Sequence, residues 1–484
     1  MLQLDKSRPS VAFDLSGFDA KEDKNVTLYT RACSALLFPL HEHLKHHSSV
    51  AVRRRLEQSQ WWPADQLAAY RVERLRAFLT QIGVDVPYYR RLFAESGFDP
   101  QAVATLDDLV RLPLLTKAEI RTHCELLKSE KSGQLSRYNT GGSSGEPLIF
   151  FMGRDRKSHD VGAKWRATRW WGVDIGDREM VVWGSPVELG AQDRIRQLRD
   201  ALMRSRLLPA FEMSEANLDR FVAAIRGYRP KMLFGYPSSL SVIAEHARKR
   251  GVALDSLGIK VAFVTSERLY DYQRESIQSA FGCPVANGYG ARDAGFIAHE
   301  CPSGSLHISA EDIIVETVGA DGEPVAAGEA GEIVVTHMGT GDFPFVRYRT
   351  GDVGVLGDAD CACGRGLPVL REVHGRTTDF VVTRDGTLMH GLSLIYTVRD
   401  LPGVKQFKIV QESLLRTDVA IVRGPGWNEA SAARICVDFR KRLGRDVEVN
   451  VSYLDAIEAE KSGKYRYVVS KVAQPSGAGS QHLW

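Results

Sequence analysis

From residue 180 to residue 281, short apolar and β-branched runs alternate with longer stretches of helical spacing, and this alternation narrows the fold more than any other feature. Residues 180–183, 231–235 and 259–265 have the length and make-up of buried strands, whereas residues 238–250 and 271–281 have helical periodicity. Such a rhythm predicts an α/β architecture in which helices pack on sheets. From residue 308 to 355 the character changes to strands separated by Gly and Pro turns, with residues 312–318 and 331–336 as examples, so a β-rich subdomain is expected within the same large unit. After Gly375 strands and helices mix in a block of domain size: strands at 380–383, 407–411, 418–422 and 447–453, helices at 392–401 and 428–443.

Upstream, Leu75, Phe78, Leu79 and Ile82 fall at i, i+3, i+4 and i+7, which predicts a buried stripe on a helix within residues 50–82. Pro-punctuated connectors at 86–90 and 112–117 bracket another short helix. Residues 1–48 are a weakly patterned arm carrying His41, His43, His46 and His47, and no ligand set of fixed geometry closes around them, so a solvated helix face is expected. The predicted division is an arm (1–48), a large domain of packed mixed sheets with helices (49–375), a small mobile α+β lid (376–472) and a Gly/Ser/Pro-rich disordered tail (473–484). There is no internal repeat.

At 484 residues the chain can bury a large core, and a net charge of +3 argues against a nucleic-acid coat or a membrane-surface protein. No apolar run approaches the ~18 residues needed to span a bilayer. The polar N-terminus, broken by Pro9 and Gly17, lacks the apolar stretch of a secretory signal, so a cytoplasmic protein is expected. Seven scattered cysteines do not form a disulfide framework.

The clearest chemical signal is the run Arg-Tyr-Asn-Thr-Gly-Gly-Ser-Ser-Gly-Glu-Pro-Leu at 137–148. Gly141, Gly142 and Gly145 let backbone N–H groups converge on one anion, and Thr140, Ser143 and Ser144 add hydroxyl donors, which makes a cradle for phosphate oxygens. No lysine follows the glycines and the next segment reads as a strand, so the run is not a P-loop. A polar hairpin loop fits this segment equally well.

Further motifs follow in order: Val264-Thr265-Ser266-Glu267, Asn287-Gly288-Tyr289-Gly290-Ala291-Arg292-Asp293, Tyr348-Arg349-Thr350-Gly351-Asp352, Gly375-Arg376-Thr377-Thr378-Asp379 and Gly463-Lys464. With the glycine run they stand in the order and rough spacing of the adenylate-forming superfamily. Within it the chain resembles the phenylacetate–CoA ligase branch, including relatives known from coenzyme and capsular polysaccharide biosynthesis. The resemblance runs from about residue 50 to 470. It implies the acyl-adenylate synthetase fold and a two-step reaction. ATP first activates an aryl or arylacetic acid as the acyl-adenylate with loss of pyrophosphate, and CoA then takes the acyl group.

The resemblance also implies roles. Thr140, Ser143, Ser144 and the loop amides would meet the departing phosphates. Asp352 would accept the ribose hydroxyls, as a carboxylate suits a vicinal diol. Tyr289 would offer a ring face to adenine, with Ser266, Glu267, Asn287, Gly288 and Gly290 lining the same pocket. Lys464 would swing over the α-phosphate, and Arg376 would stand at the interdomain junction. Asp293 would hold Mg²⁺ where many relatives carry a glutamate, and Thr378 replaces a common hinge aspartate, departures that alter reach at the metal and at the lid. Trp183 and Gly184 follow one predicted strand end, Tyr236 and Pro237 another, which makes them candidates for the acid pocket, with core packing as the alternative.

Cys301, His307, Cys361 and Cys363 make a Cys₃His set suited to structural Zn²⁺, a pairing that recurs in this branch. Four ordinary loop residues with reduced thiols are the other reading. The implied partners are a small carboxylic acid and CoA, with no nucleic acid, no membrane, and monomer or homodimer left open. Transfer of the acyl group or AMP to an amine or hydroxyl, and a non-catalytic homologue, remain as alternatives.

Overall fold

A computed structural model of the chain describes residues 27–140, 148–183, 194–210, 213, 215–357, 361–376, 380–386, 388–399, 401–458 and 466–472. The described part of the arm is helical: Leu28–Ala32 runs through a π-helical turn, Cys33–Leu37, into Phe38–Leu44. His41 and His47 each place Nδ1 on the buried carboxylate of Glu42, at 3.0 and 3.2 Å, so two of the four arm histidines serve as hydrogen-bond partners of one acid. Trp61, Trp62 and Pro63 separate helix Ser49–Ser59 from helix Ala64–Asp85, which buries Leu75, Phe78, Leu79 and Ile82 as their spacing requires. Pro87, expected in a connector, instead opens helix Pro87–Ser96 at its first position, where a missing N–H costs nothing.

The strands, in chain order, are β1 Ser136–Asn139, β2 Ile149–Met152, β3 Glu179–Trp183, β4 Ser205–Pro209, β5 Met232–Gly235, β6 Val261–Thr265, β7 Val285–Ala291, β8 Gly295–Glu300, β9 Leu306–Ile308, β10 Ile313–Val318, β11 Ala330–His337, β12 Tyr348–Gly357 and β13 Val369–Arg376. β1 and β2 form an antiparallel hairpin, and the other strands join in one eleven-stranded sheet ordered β10-β11-β12-β13-β9-β8-β7-β6-β5-β3-β4. The strands from β4 to β7 run parallel, and from β7 to β10 every pairing is antiparallel. The predicted β-rich subdomain is thus the antiparallel continuation of the parallel sheet. Every residue of β5 and β6 is buried, the pattern of parallel strands covered on both faces, here with helices Pro237–Lys249 and Asp271–Phe281 packed beside them.

A second core lies toward the C-terminus. Strands β14 Phe380–Val382 and β15 Leu388–His390 pair as a hairpin. Strands β16 Val404–Ser413, β17 Arg416–Arg423, β18 Glu448–Tyr453 and β19 Val468–Ser470 form a sheet ordered β18-β17-β16-β19. Helices Leu392–Arg399 and Ala430–Leu443 close over it on Ile409, Val419, Ile421, Ile435 and Phe439, all fully buried. This block has a hydrophobic core of its own. It touches the large domain where the Tyr467 hydroxyl meets that of Tyr272 at 3.0 Å and Arg399 lies over the Tyr272 ring at 4.9 Å.

Beneath the sheet sits a buried polar network that no sequence pattern announced. Arg166, on helix Arg154–Arg169, donates to Glu311 at 2.6 Å, to the Leu56 carbonyl at 3.2 Å and to Ser309 at 3.1 Å, while Ser59 donates to the same carboxylate at 2.8 Å. Both ions are fully buried. Next to it Asp312 is held by Arg55 and, at 2.8 Å, by Arg74. Burial pushes the Asp312 carboxyl up, but His159, Arg55 and Arg74 outweigh it and hold it well below the usual carboxylate range. These contacts tie three helices to the turn before β10.

Candidate active site

The candidate residues gather where the parallel half of the sheet gives way to the antiparallel half. β1 and β2 flank the glycine run in the sequence, and Thr140 ties the ends of the two strands together. Thr140 N–H donates to the Leu148 carbonyl at 3.0 Å, and Leu148 N–H donates to Thr140 Oγ1 at 2.9 Å. These bonds close the two strands on either side of residues 141–147, which lie outside the described residues. Arg292 Nη1 donates to the Asn139 carbonyl at 3.4 Å, which fixes the hairpin neck beside the Asn287–Asp293 motif.

That motif occupies β7 and the turn into β8. Asn287 N–H donates to Glu300 at 2.7 Å, and Glu300 also pairs with Arg274 at 2.9 Å. A side chain at Gly290 would put its Cβ 2.4 Å from the Gly295 carbonyl oxygen, so glycine is what lets the two strands approach here. Asp293 is buried, and its Oδ2 accepts a 2.5 Å hydrogen bond from Tyr348, itself fully buried. Tyr289 points its hydroxyl at Asp352 Oδ2, 2.9 Å away; burial, with the Asp352 charge beside it, raises the phenol well above its ordinary value, so it stays a donor. Gly351 takes φ of +79° to aim Asp352 into this contact, and the Thr350 hydroxyl accepts from Asp352 N–H at 3.1 Å. The β12–β13 register sets Arg376 opposite Asp352 along the backbone.

Ser266 follows the carboxyl end of β6 with φ of +71°, a left-handed conformation uncommon for serine, and Glu267 accepts from Ser238 N–H at 3.2 Å. At the carboxyl ends of β3 and β5, Trp183 packs on Tyr236 with ring centroids 4.3 Å apart and on Phe234 at 5.9 Å. Pro237 opens the following helix, and both it and Tyr236 are buried. These residues form one aromatic wall at the strand ends where ligands of α/β sheets bind.

The expected loop residues Gly141, Gly142, Ser143, Ser144 and Gly145, with Gly184, the hinge residue Thr378 and the lid lysine Lys464, lie outside the described residues. Two supporting residues were not singled out from sequence. Tyr348 heads the motif read only for Asp352, and Glu300 ends β8 without any local signal.

A second constellation lies along β8, β9 and the segment before β13. Cys301 and Cys361 sulfurs stand 3.7 Å apart, and His307 Nε2 is 3.2 Å from Cys363 Sγ. All four ligand atoms fall within 4.8 Å of one another. His307 Nδ1 is 3.0 Å from the Leu367 carbonyl, a contact that puts the ring proton there and turns the Nε2 lone pair toward the sulfurs.

The CapK C-terminal domain family matches residues 381–471, the separately cored block. The chain is 29% identical to the phenylacetate-coenzyme A ligase of Thermus thermophilus over 332 residues, 66% of this chain and 73% of that one. It is 22% identical to Protein CapK of Staphylococcus aureus over 83% of this chain and 88% of the relative. The chain is thus similar to the phenylacetate–CoA ligases over its larger part and to CapK along most of its length. A crystal structure of 2-hydroxyisobutyryl-CoA ligase in the postadenylation state, bound to an acyl-adenylate, shares the fold at a TM-score of 0.68 and 19% identity, covering 86% of this chain and 91% of that one. No helix among the described residues is long and apolar enough to cross a membrane.

Proposed function

We propose that this protein activates a carboxylic acid, aryl or arylacetic, with ATP as an acyl-adenylate and passes the acyl group to CoA. The observation that carries this reading is the convergence of Thr140, Tyr289, Asp293 and Asp352 at one end of the sheet through hydrogen bonds between separate motifs. Asp352 has lone pairs enough to accept a ribose diol as well as the Tyr289 hydroxyl, because a carboxylate takes about four hydrogen bonds. The tyrosine thus orients the acceptor, with its ring beside the adenine. Asp293, steadied on one oxygen by Tyr348, is the candidate Mg²⁺ ligand, and the hairpin loop is the candidate seat for the β- and γ-phosphates. The Trp183–Tyr236 wall suits a flat acid.

During adenylation the acid's oxygen attacks the α-phosphorus and pyrophosphate leaves, so positioning and charge neutralisation do most of the work. Lys464 and Arg376, from the lid and the junction, are assigned to that charge. The test is to incubate the protein with ATP, Mg²⁺, CoA and a panel of aryl and acyl acids, and to measure AMP and acyl-CoA by mass spectrometry. Stoichiometric AMP and acyl-CoA are expected, and AMP without any acyl-CoA would remove CoA as the acceptor. The match of the lid to the CapK C-terminal domain favours one second reading, transfer of the acyl group to an amine or hydroxyl, and the same assay with added amines separates the two.

Removing either partner of the Tyr289–Asp352 contact should weaken nucleotide binding. Hydrogen bonds to a charged group are worth about 1.5–3 kcal/mol, so Asp352→Asn should lower ATP affinity by roughly 10- to 100-fold, with a smaller loss for Tyr289→Phe. Calorimetric titration with ATP reads both, and unchanged affinity in Asp352→Asn would take this residue out of the ribose site.

Zinc is assigned to the Cys301, His307, Cys361 and Cys363 set. Zn–S bonds of about 2.3 Å at tetrahedral angles put sulfurs about 3.8 Å apart, close to the spacing of Cys301 and Cys361. The ion would clip the β8–β9 turn to the loop before β13 and take no part in the chemistry. Elemental analysis of natively purified protein should give one zinc per chain, lost with a lower melting temperature in Cys363→Ser. Protein that is folded and zinc-free would overturn the assignment.

A further inference from the structure

A cavity of about 680 Å³ opens at the amino edge of the parallel strands, the side opposite the candidate active site. Its walls come from residues at the starts of three neighbouring strands: Arg178 before β3, Arg204 and Arg206 flanking the first residue of β4, and Lys231 before β5. Strands of five residues rise roughly 15 Å, so this edge is that far from the Trp183–Tyr236 wall. No residue of the adenylation motifs lines it.

The charges in this pocket are unevenly matched. Of its two carboxylates, Asp177 already accepts from the Thr30 hydroxyl at 2.9 Å and from Asp174 N–H at 3.0 Å, and Asp200 is bound by Arg199. The guanidiniums have aromatic neighbours instead: Arg204 lies 3.7 Å over the Tyr29 ring, and Arg206 and Arg178 stand 4.1 and 5.9 Å from the centre of the Tyr228 ring. Among the described residues none of the three has a carboxylate within ion-pair distance. Stacking holds a guanidinium by its face and leaves its N–H edge for an acceptor. Tyr228 is itself fixed, donating to the Arg204 carbonyl at 2.8 Å, and Arg204 adopts φ of +56°, a left-handed conformation rare for arginine. The cations are therefore held in place around one half-open pocket.

We propose that this pocket is a second anion site that takes a small molecule carrying two or more phosphate groups. Planar guanidinium forks match phosphate oxygens bidentately, and Arg178, just before β3, and Arg206, on the neighbouring parallel strand β4, present two forks to one ligand. The volume lies in the range of small-molecule sites. A single carboxylate would satisfy one fork only, and the nearly neutral chain gives no reason to expect a nucleic acid.

The test uses the full chain and inorganic pyrophosphate as the probe, in calorimetric titration at low salt, where exposed charges are least screened. Wild type should show two classes of pyrophosphate binding, one at the proposed phosphate cradle and one here. Arg178→Ala/Arg206→Ala should lose one class, an affinity drop of at least about tenfold, while acid-dependent ATP–pyrophosphate exchange persists; the Lys/Lys variant should retain part of it. If the adenylation reading fails instead, wild type shows a single class and the double-alanine variant abolishes it. Identical isotherms for wild type and a normally melting double-alanine variant overturn the proposal, as does pyrophosphate binding here no tighter than inorganic phosphate.

Discussion

Lys464→Ala should lower acid-dependent adenylate formation by about 10²–10³-fold, the loss typical of removing one group that stabilises transition-state charge, while leaving ATP binding nearly intact. The split follows from timing. The cation is assigned to charge that builds on the α-phosphate and the incoming carboxylate only as the bond forms, so it contributes to the transition state more than to the resting complex. It stands after Gly463 in a short polar run, and three residues on, Tyr467 docks on Tyr272 of the large domain. Lys464→Arg should recover part of the rate, because the charge is kept and its geometry is not. Single-turnover formation of acyl-AMP, measured beside ATP affinity, separates the two effects. A rate unchanged by the alanine would remove Lys464 from the mechanism.

The second large effect is on stability. Arg166→Met leaves the carboxylate of Glu311 buried at 0% exposure without its cation, and breaking such a pair costs about 3–5 kcal/mol. Adding Glu311→Gln to that variant removes the stranded charge and should return most of the loss, since replacing both members of a buried pair is often close to neutral. Urea unfolding of the wild type, the single variant and the double variant reads this cycle. If the single variant were as stable as wild type, the pair would not be holding helix Arg154–Arg169 against the turn before β10. The pair lies beneath the sheet, away from Tyr289 and Asp352, so the folded fraction should retain its catalytic rate.

Much of the fold was legible because burial leaves a period in the sequence. The helices over 238–250 and 271–281 and the strands over 180–183 and 259–265 appear within two residues of their expected bounds. What periodicity does not carry is which strands become neighbours. The antiparallel strands from β8 to β13 join the parallel ones in a single sheet through the β7–β8 pairing, a long-range choice with no local signature. The edge strand β4, Ser-Arg-Leu-Leu-Pro, is short and ends in proline, so its pattern is weak although its place beside β3 is clear. At the candidate site, Asp352, Tyr289 and Asp293 were picked out from the sequence because their residue types stand beside turn glycines. Their partners were less legible. That Tyr348 supports Asp293 and that Tyr289 binds Asp352 through its hydroxyl are facts of side-chain direction, which alternation in a strand sets only once register is known. The Arg166–Glu311 pair was illegible for the same reason: a lone arginine and a lone glutamate, 145 positions apart, look like surface residues until the core closes on them.

The central claim is that separated motifs meet on one nucleotide and make its α-phosphorus reactive toward an acid. Isotope exchange between labelled pyrophosphate and ATP, run with Mg²⁺ and each member of a panel of aryl and acyl acids, tests it most directly. Label should enter ATP only when a suitable acid is present, and the exchange should vanish in Asp352→Ala. Exchange that ignores the acid, or none with any acid although ATP binds, would contradict it.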